Sequence, residues 1–162
     1  MGNCSLIAQT SFWIIYDEVY LGLETTLITK LYYEAFNIAS REEFVGSVAK
    51  LESEEAPLYI KTLIGAFFKA AAMGDAPALA KTDEMAKRGA QFIAALANQM
   101  EFDGDEIEVV LSGSMHTKLP NDIYIAKLHD YAQQMSGRKL RFIKLDKEPV
   151  IGCINWIFRQ YK

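Results

Sequence analysis

Two apolar runs open the chain, at residues 4–8 and 12–16, with the polar residues 9–11 between them. Both runs are rich in residues that suit a pleated sheet, so the pattern predicts a strand or a small hairpin. From Gly22 the period changes, because apolar residues recur at three- and four-residue steps. That spacing predicts a helix that continues to about Ile38.

The next stretch contains helix start signals at three places. Ser40 stands three residues before Glu43, a capping box that predicts a short helix over residues 41–51. Pro57 fits the first turn of a second helix, which Gly74 ends. Asp75 and Pro77 then repeat the start signal for a long helix to about residue 100. Small residues along one side of that helix indicate close packing.

The last third changes to a mixed pattern. Residues 107–111 form an apolar run that predicts a buried strand. Asn121 can cap a helix that ends at Ser136-Gly137, residues 139–145 predict another strand, and Pro149 opens a final helix. The order strand, turn, helix, strand, helix predicts an α/β protein. Without a repeat, linker or low-complexity tract, residues 1–162 are predicted to be one domain.

Composition narrows the class of protein. With 51% hydrophobic residues among 162, the chain can fill a core, and the net charge of -4 disfavours nucleic-acid binding. Cys4 and Cys153 lie far apart and near no histidine, which predicts neither a zinc site nor a disulfide framework and favours the cytoplasm. The most apolar stretch, residues 63–73, is too short to cross a membrane, so we expect a soluble protein without a membrane partner.

The most informative local feature is the turn Ser112-Gly113-Ser114, which directly follows a predicted buried strand and precedes a helix. Ligands of α/β sheets usually bind at such carboxyl ends, where small residues let a nucleotide approach the backbone. A tight turn without a ligand has the same sequence pattern. Gly152 is the second feature, since a glycine inside a helix costs about 1 kcal/mol relative to alanine. Close packing or a ligand is expected to compensate for it.

These segments resemble a family. The Val-Val-Leu-Ser-Gly-Ser run at residues 109–114, a helix, a basic strand and Glu-Pro-Val-Ile-Gly at 148–152 are similar to the carboxyl-terminal lobe of BadF/BadG/BcrA/BcrD-type ATPases and N-acetylglucosamine kinases. Residues 41–45 and 72–76 are similar too, so the resemblance covers the chain from about Tyr20.

The resemblance implies a ribonuclease H-like single lobe of the actin-like ATPase superfamily, with a large helical section. It implies ATP with Mg²⁺ as cofactor. Ser112, Gly113 and Ser114 would face the adenosine, and Pro149 and Gly152 would lie beside the nucleotide cleft.

The sequence departs from the family pattern in the segments that bind phosphate and that supply the catalytic acid. The family's Gly-Thr-Gly-Ser phosphate loop has only a partial counterpart here, which runs from Gly2 to Ser5. By the same resemblance, Asp17-Glu18 and Gly22 correspond to the remnant of the family's Gly-Asp-Glu-Gly-Ser-Gly segment, without its Gly-Ser-Gly, and Asp17 and Glu18 are the substrate-binding candidates. The family's amino-terminal lobe, with its Asp-Gly-Gly loop and catalytic acid, has no counterpart in this sequence, so we assign no catalytic residue and no metal ligand.

Two functions from different classes follow from this. The chain is expected to be an ATP-binding half of a BadF-type ATPase or N-acetylglucosamine kinase-like protein, which needs an amino-terminal lobe from another chain for phosphoryl transfer. The alternative is a non-catalytic remnant that acts as a protein-interaction module or homodimer, because the lost lobe would leave apolar surface exposed. A third reading is a small enzyme of unrelated chemistry.

Overall fold

The computed structural model describes residues 4–146 and 149–160. Helices fill the chain through Gln99, and a small parallel sheet with its connecting helices follows, so the protein is a mostly helical member of the mixed α/β class. The elements are α1 (Cys4–Leu21), α2 (Leu27–Phe36), α3 (Arg41–Gly46), a 3-10 helix (Ser47–Glu52), α4 (Ala56–Ala72), α5 (Ala76–Gln99), β1 (Glu106–Leu111), α6 (Ser114–Thr117), α7 (Ile123–Ser136), β2 (Lys139–Lys144) and α8 (Pro149–Gln160).

The amino-terminal hairpin prediction is wrong, because both apolar runs lie in α1. Ile7, Ser11 and Ile15 are spaced by four residues and all three are buried. The polar residues between the runs do not interrupt the helix, since Ser11 Oγ donates to the Ile7 carbonyl oxygen one turn earlier, at 2.8 Å. Burial of one helical face against α2 and α4 therefore overrides the β preference of the apolar residues.

The helix predicted from Gly22 begins later than expected. Gly22 has a φ of 65° and follows the end of α1, and α2 starts only after Thr26, whose hydroxyl accepts from Ile28 N. The capping box is confirmed: Glu43 N donates to Ser40 Oγ at 3.2 Å, and the Glu43 carboxylate accepts from the Ala39 N–H. The short helix predicted after it changes to 3-10 geometry from Ser47 onward.

The two long helices start where the sequence predicts. Pro57 lies in the first turn of α4, and Asp75 caps α5 by accepting from Ala78 N at 3.0 Å. α5 packs on α4 and, more extensively, on α7. The core they share is mainly aliphatic and aromatic; its largest fully buried side chains are Tyr32, Phe44, Phe67, Phe68, Ile7, Ile15, Ile28, Leu63 and Leu128.

Both predicted strands are confirmed, and they pair in parallel with Glu106 opposite Lys139 and Leu111 opposite Lys144. Ile107, Leu111 and Leu140 are buried on the face toward α5 and α7. On the opposite, outer face of the sheet, charged residues of the two strands pair at the amino end. Val110 and Ile143 lie opposite each other at the carboxyl end of this face.

The final helix is the least covered element. From Val150 to Arg159 every residue of α8 is exposed, and no other described element packs extensively on the helix. No single helix among the described residues has both the length and the apolar composition needed to cross a membrane.

Candidate functional site

The turn after β1 is held by a compact set of hydrogen bonds. The Gly113 carbonyl oxygen accepts from His116 N at 2.9 Å and from Thr117 N and Thr117 Oγ1, both at 3.0 Å. His116 Nδ1 lies 2.9 Å from the Ser112 carbonyl oxygen. These bonds fix the backbone of the turn at the carboxyl end of β1, which is the edge where α/β sheets usually bind ligands.

Gly113 is required by its backbone conformation rather than by crowding. Its φ is 81°, a value that residues with a side chain rarely adopt. A Cβ built at this position would have no atom within 4 Å, and Ser112, Gly113 and Ser114 are all exposed. The backbone of the turn is therefore open to close approach by a ligand.

The second candidate segment begins near the same edge. The ends of the strands are adjacent, because Leu145 N donates to the Leu111 carbonyl oxygen at 3.1 Å, and α8 begins at Pro149, four residues later. Gly152 is exposed on α8, and a Cβ there would have no atom within 4 Å. Close packing among the described residues therefore does not compensate for this glycine, contrary to one of the two expectations.

The proposed phosphate and substrate residues at the amino terminus lie elsewhere. Gly2 is outside the described residues, and Ser5 lies in the first turns of α1, not in a loop, where it lines an apolar groove with Trp13 and Val48. α1 packs on α2 and α4 rather than on the sheet.

The acidic pair has a structural role in α1 and α2. The Glu18 carboxylate accepts from Thr26 N at 3.1 Å and from the Thr29 hydroxyl, so it binds the free donors at the start of α2. Asp17 lies half-buried beside it and lines a shallow groove against the first turns of α5. These contacts place neither side chain at the edge formed by β1 and β2.

The basic residues of β2 are largely neutralised by β1. Lys139 Nζ lies 3.0 Å from Glu106 Oε1, and Arg141 pairs with both Glu106 and Glu108. The outer face of the sheet therefore presents paired charges at its amino end. This arrangement disfavours an anion site on that face, because each cation already has a carboxylate beside it.

A cavity that the sequence did not predict lies between α5, α7 and the outer edge of β1. It has a volume of about 260 Å³, and His116 and the buried Tyr124 are its main polar residues. Gly89 lets the Leu128 side chain pack closely on α5 here, because a Cβ would lie 2.8 Å from Leu128 Cδ1. The other lining residues are apolar: Met85, Phe92, Ile93, Val109, Val110 and Leu111.

One charged cluster joins the helices behind the sheet. Asp83 on α5 accepts from Lys127 Nζ at 2.8 Å and from Tyr131 OH at 2.5 Å, both on α7, and pairs with Lys87 at 2.8 Å. These hydrogen bonds, that of Lys127 first, hold the pKa of the Asp83 carboxyl well below its usual value. All four groups satisfy one another, so the cluster is a link between helices.

Among the described residues, no group of three or more His, Cys, Asp or Glu side chains is placed to hold a metal ion. No model of a known protein family matches the chain, and no curated protein matches it.

Proposed function

We propose that the chain is the ATP-binding half of a cytoplasmic two-lobed ATPase or sugar kinase, built as a ribonuclease H-like lobe of the actin-like superfamily. The observation that carries the proposal is the parallel β1–α7–β2 unit with an open turn at its carboxyl edge and Gly113 at a φ of 81°. A nucleoside can approach the backbone at such a turn without meeting a side chain.

The chain's own residues would bind and orient the nucleoside end of ATP. Ser112, Gly113 and Ser114 would contact the adenosine, and the start of α8, from Pro149 to Gly152, would form the neighbouring wall. Phosphoryl transfer depends on positioning the phosphates and stabilising their charge, and an amino-terminal lobe from another chain would supply those groups, with Mg²⁺.

The test is a calorimetric titration of the chain with ATP and Mg²⁺, repeated with Gly113→Val. A single lobe makes only part of the contacts of the complete nucleotide site, whereas the entropic cost of association is not reduced. We therefore expect binding of roughly millimolar affinity. Gly113→Val should weaken it about tenfold or more, since a side chain would then occupy the approach to the backbone.

Gly104→Val is the matched control. Gly104 has a φ of 85°, and a Cβ there also has no atom within 4 Å, but it lies in the loop before β1. Both substitutions should lower the free energy of unfolding by a similar amount, about 1–3 kcal/mol, because both strain the backbone. Equal ATP affinities for the two variants would contradict the proposal, as would the lack of any binding by the parent chain at millimolar ATP.

A second candidate function, a protein-interaction module or homodimer, is favoured by α8. Val150, Ile151, Ile154, Ile157 and Phe158 lie on one side of this helix, and each is at least 38% exposed. Contiguous apolar surface of this kind usually marks a binding site.

Sedimentation of the chain at several concentrations tests this second function. Ile157→Asp places a charge on the apolar side of α8, whereas Asn155→Asp places the same charge on its polar side. If α8 takes part in the association, we expect Ile157→Asp to weaken it and Asn155→Asp to leave it unchanged. A chain that remains monomeric at every concentration and binds no other protein would remove the second candidate.

A further inference from the structure

The cavity between α5, α7 and β1 is apolar except where His116 and Tyr124 lie beside each other. Its volume of about 260 Å³ exceeds the roughly 150 Å³ that holds a benzene molecule in a protein core. None of the described residues that line it carries a carboxylate, ammonium or guanidinium group. A charged ligand would therefore be buried here without a counter-charge, which favours a neutral one.

The Tyr124 hydroxyl is buried without a hydrogen-bond partner in the described part of the chain. The residue is 3% exposed, and burial raises the pKa of its hydroxyl with no hydrogen bond to counteract this. Among the described residues, the Tyr33 hydroxyl is the side-chain polar atom that is both unpartnered and sealed from solvent. The unpartnered Tyr124 oxygen thus keeps an accessible surface, which faces the cavity that Tyr124 lines.

The Tyr124 oxygen lies beside the backbone of α5. A Cβ at Gly89 would be 3.4 Å from this oxygen, and Gly89 lines the same cavity. The hydroxyl is therefore on the wall of the cavity, next to a residue without a side chain. A ligand can approach it there without displacing another side chain of α5 at that position.

The second polar group is the imidazole of His116. Its Nδ1 lies 2.9 Å from the Ser112 carbonyl oxygen, which can only accept, so Nδ1 carries a proton. In the neutral ring Nε2 is then an acceptor, and no described residue donates to it. The His116 and Tyr124 rings have their centroids 5.9 Å apart. The cavity thus offers one donor and one acceptor on adjacent rings.

Water satisfies this cavity less well than an apolar molecule with one hydroxyl group. Its volume would take several waters at about 30 Å³ each, and a buried water needs about two to four polar partners. The side chains of Met85, Ile93 and Leu111 offer no such partner, and burial of apolar ligand surface against them is favourable. Phe92 adds an aromatic ring to this wall, which suits an aromatic ligand.

We propose that this cavity binds a small neutral aromatic alcohol of the phenol class. The ligand ring would lie against Met85, Phe92 and Ile93 of α5, and its hydroxyl would donate to His116 Nε2 and accept from the Tyr124 hydroxyl. The site does not depend on ATP binding, and every test below is made without nucleotide.

Calorimetric titration with p-cresol and p-xylene tests the role of the ligand hydroxyl, because the two molecules differ only by a hydroxyl in place of a methyl group. We expect p-cresol to bind with a Kd on the order of 100 micromolar, which is within reach of a ligand of about eight non-hydrogen atoms. p-Xylene should bind about tenfold more weakly, since it leaves both polar groups unpaired. p-Toluate, with a carboxylate at the same place, should also bind more weakly than p-cresol.

Tyr124→Phe removes the protein hydroxyl and keeps the ring. Because this hydroxyl has no partner in the described chain, the variant should fold with an unchanged melting temperature. Its affinity for p-cresol should fall about five- to tenfold, whereas that for p-xylene should stay the same or rise. Tyr131→Phe is the matched control on α7, since Tyr131 OH donates to Asp83 and does not line the cavity. It should leave both affinities unchanged.

A second pair of variants tests the place of binding. Val109→Phe adds bulk to the cavity wall on β1 and should weaken both ligands about tenfold or more. Ile143→Phe adds similar bulk to the outer face of β2 and should not. In NMR spectra, p-cresol should shift the amide signals of Gly89, Leu111 and His116.

Each result decides the question. No binding of p-cresol at several millimolar would overturn the proposal and leave the ATP site unaffected. Equal affinities for p-cresol and p-xylene, or the same preference in Tyr124→Phe as in the parent chain, would overturn recognition of a hydroxyl. Amide shifts confined to the groove lined by Trp13 and Val48 would assign the ligand to α1 and contradict the proposed site.

Discussion

α5 and α8 are both amphipathic helices, and they differ in what their apolar faces meet. Ala78, Ala86 and Ala90 of α5 are fully buried against α4 and α7, whereas Val150 to Arg159 of α8 are all exposed. α8 belongs to the section that follows the helical section, residues 4–100, although α7 of that later section also packs on α5 and buries Tyr124 and Leu128. Amphipathic spacing thus predicts a helix, but the helix is buried only where the chain supplies a partner surface.

Polar groups follow the same division. In the helical section, the buried Asp75 carboxylate accepts from Thr26 Oγ1 at 2.9 Å, from Leu27 N at 2.6 Å and from Ala78 N at 3.0 Å. It therefore joins the start of α2 to the start of α5. In the later section, the outward backbone groups of Glu108 and Val110 have no strand beside them within the described chain. Apart from the Tyr33 hydroxyl, which is buried without a hydrogen-bond partner, the buried side-chain polar atoms described in the first section are satisfied internally, whereas the second section leaves one edge of β1 without a paired strand.

The largest effect on stability is expected when a buried aromatic residue of the helical section is shortened, in comparison with an exposed aromatic residue on α8. Phe67 on α4 is fully buried, so Phe67→Ala should lower the free energy of unfolding by about 3–5 kcal/mol. Trp156 on α8 is 61% exposed, so Trp156→Ala should change the free energy of unfolding by less than about 0.5 kcal/mol. Urea unfolding of dilute protein measures both values. Similar losses for the two variants would show that α8 is packed in the free chain.

A smaller effect is expected at the junction of α2 and α5. Asp75→Ala leaves buried donors without an acceptor and should lower the free energy of unfolding by about 2–3 kcal/mol. Ser40→Ala, which removes the more exposed cap of α3, should lower it by about 1 kcal/mol in the same urea experiment. A loss at Asp75 no greater than that at Ser40 would contradict the role assigned to Asp75.

The sequence predicted local features better than the contacts between distant segments. The starts of α4 and α5 depend on Pro57 and Asp75, whose effects reach only a few residues, and both were predicted correctly. The start of the chain was not, because residues 4–8 and 12–16 suit a strand locally, and only burial of Ile7, Ser11 and Ile15 against other helices selects α1.

The candidate site likewise combines a feature that the sequence predicts with contacts that it does not predict. The positive φ of Gly113 could be predicted from a glycine at the end of a strand. The binding of the start of α2 by Glu18 could not, since it depends on Thr26 and Thr29 in the next helix. The cavity beside β1 had one sequence signal, Gly89, whose missing side chain lets Leu128 approach.

The smallest of the stability effects concerns the link between α5 and α7. Because the pKa of Asp83 is lowered in the folded chain, its stabilisation is complete above the ordinary aspartate pKa near 4 and is progressively lost as the pH falls below it. Asp83→Asn should therefore cost about 1–2 kcal/mol at neutral pH, with a smaller difference from the parent near pH 3.

Urea unfolding at both pH values measures this difference. Glu84→Gln is the control on the same helix, since Glu84 makes an exposed pair with Lys81 that should contribute little at either pH. An Asp83→Asn difference that stays constant between the two pH values would contradict the charged link between α5 and α7.

The central claim is that the open edge formed by β1 and β2 binds a nucleotide, and amide hydrogen exchange with and without ATP and Mg²⁺ tests it most directly. The account predicts slower exchange at residues 112–114 and at the start of α8, and no change in α1, α2 or α4. Unchanged exchange at residues 112–114 in millimolar ATP, or protection confined to the helical section, would contradict it.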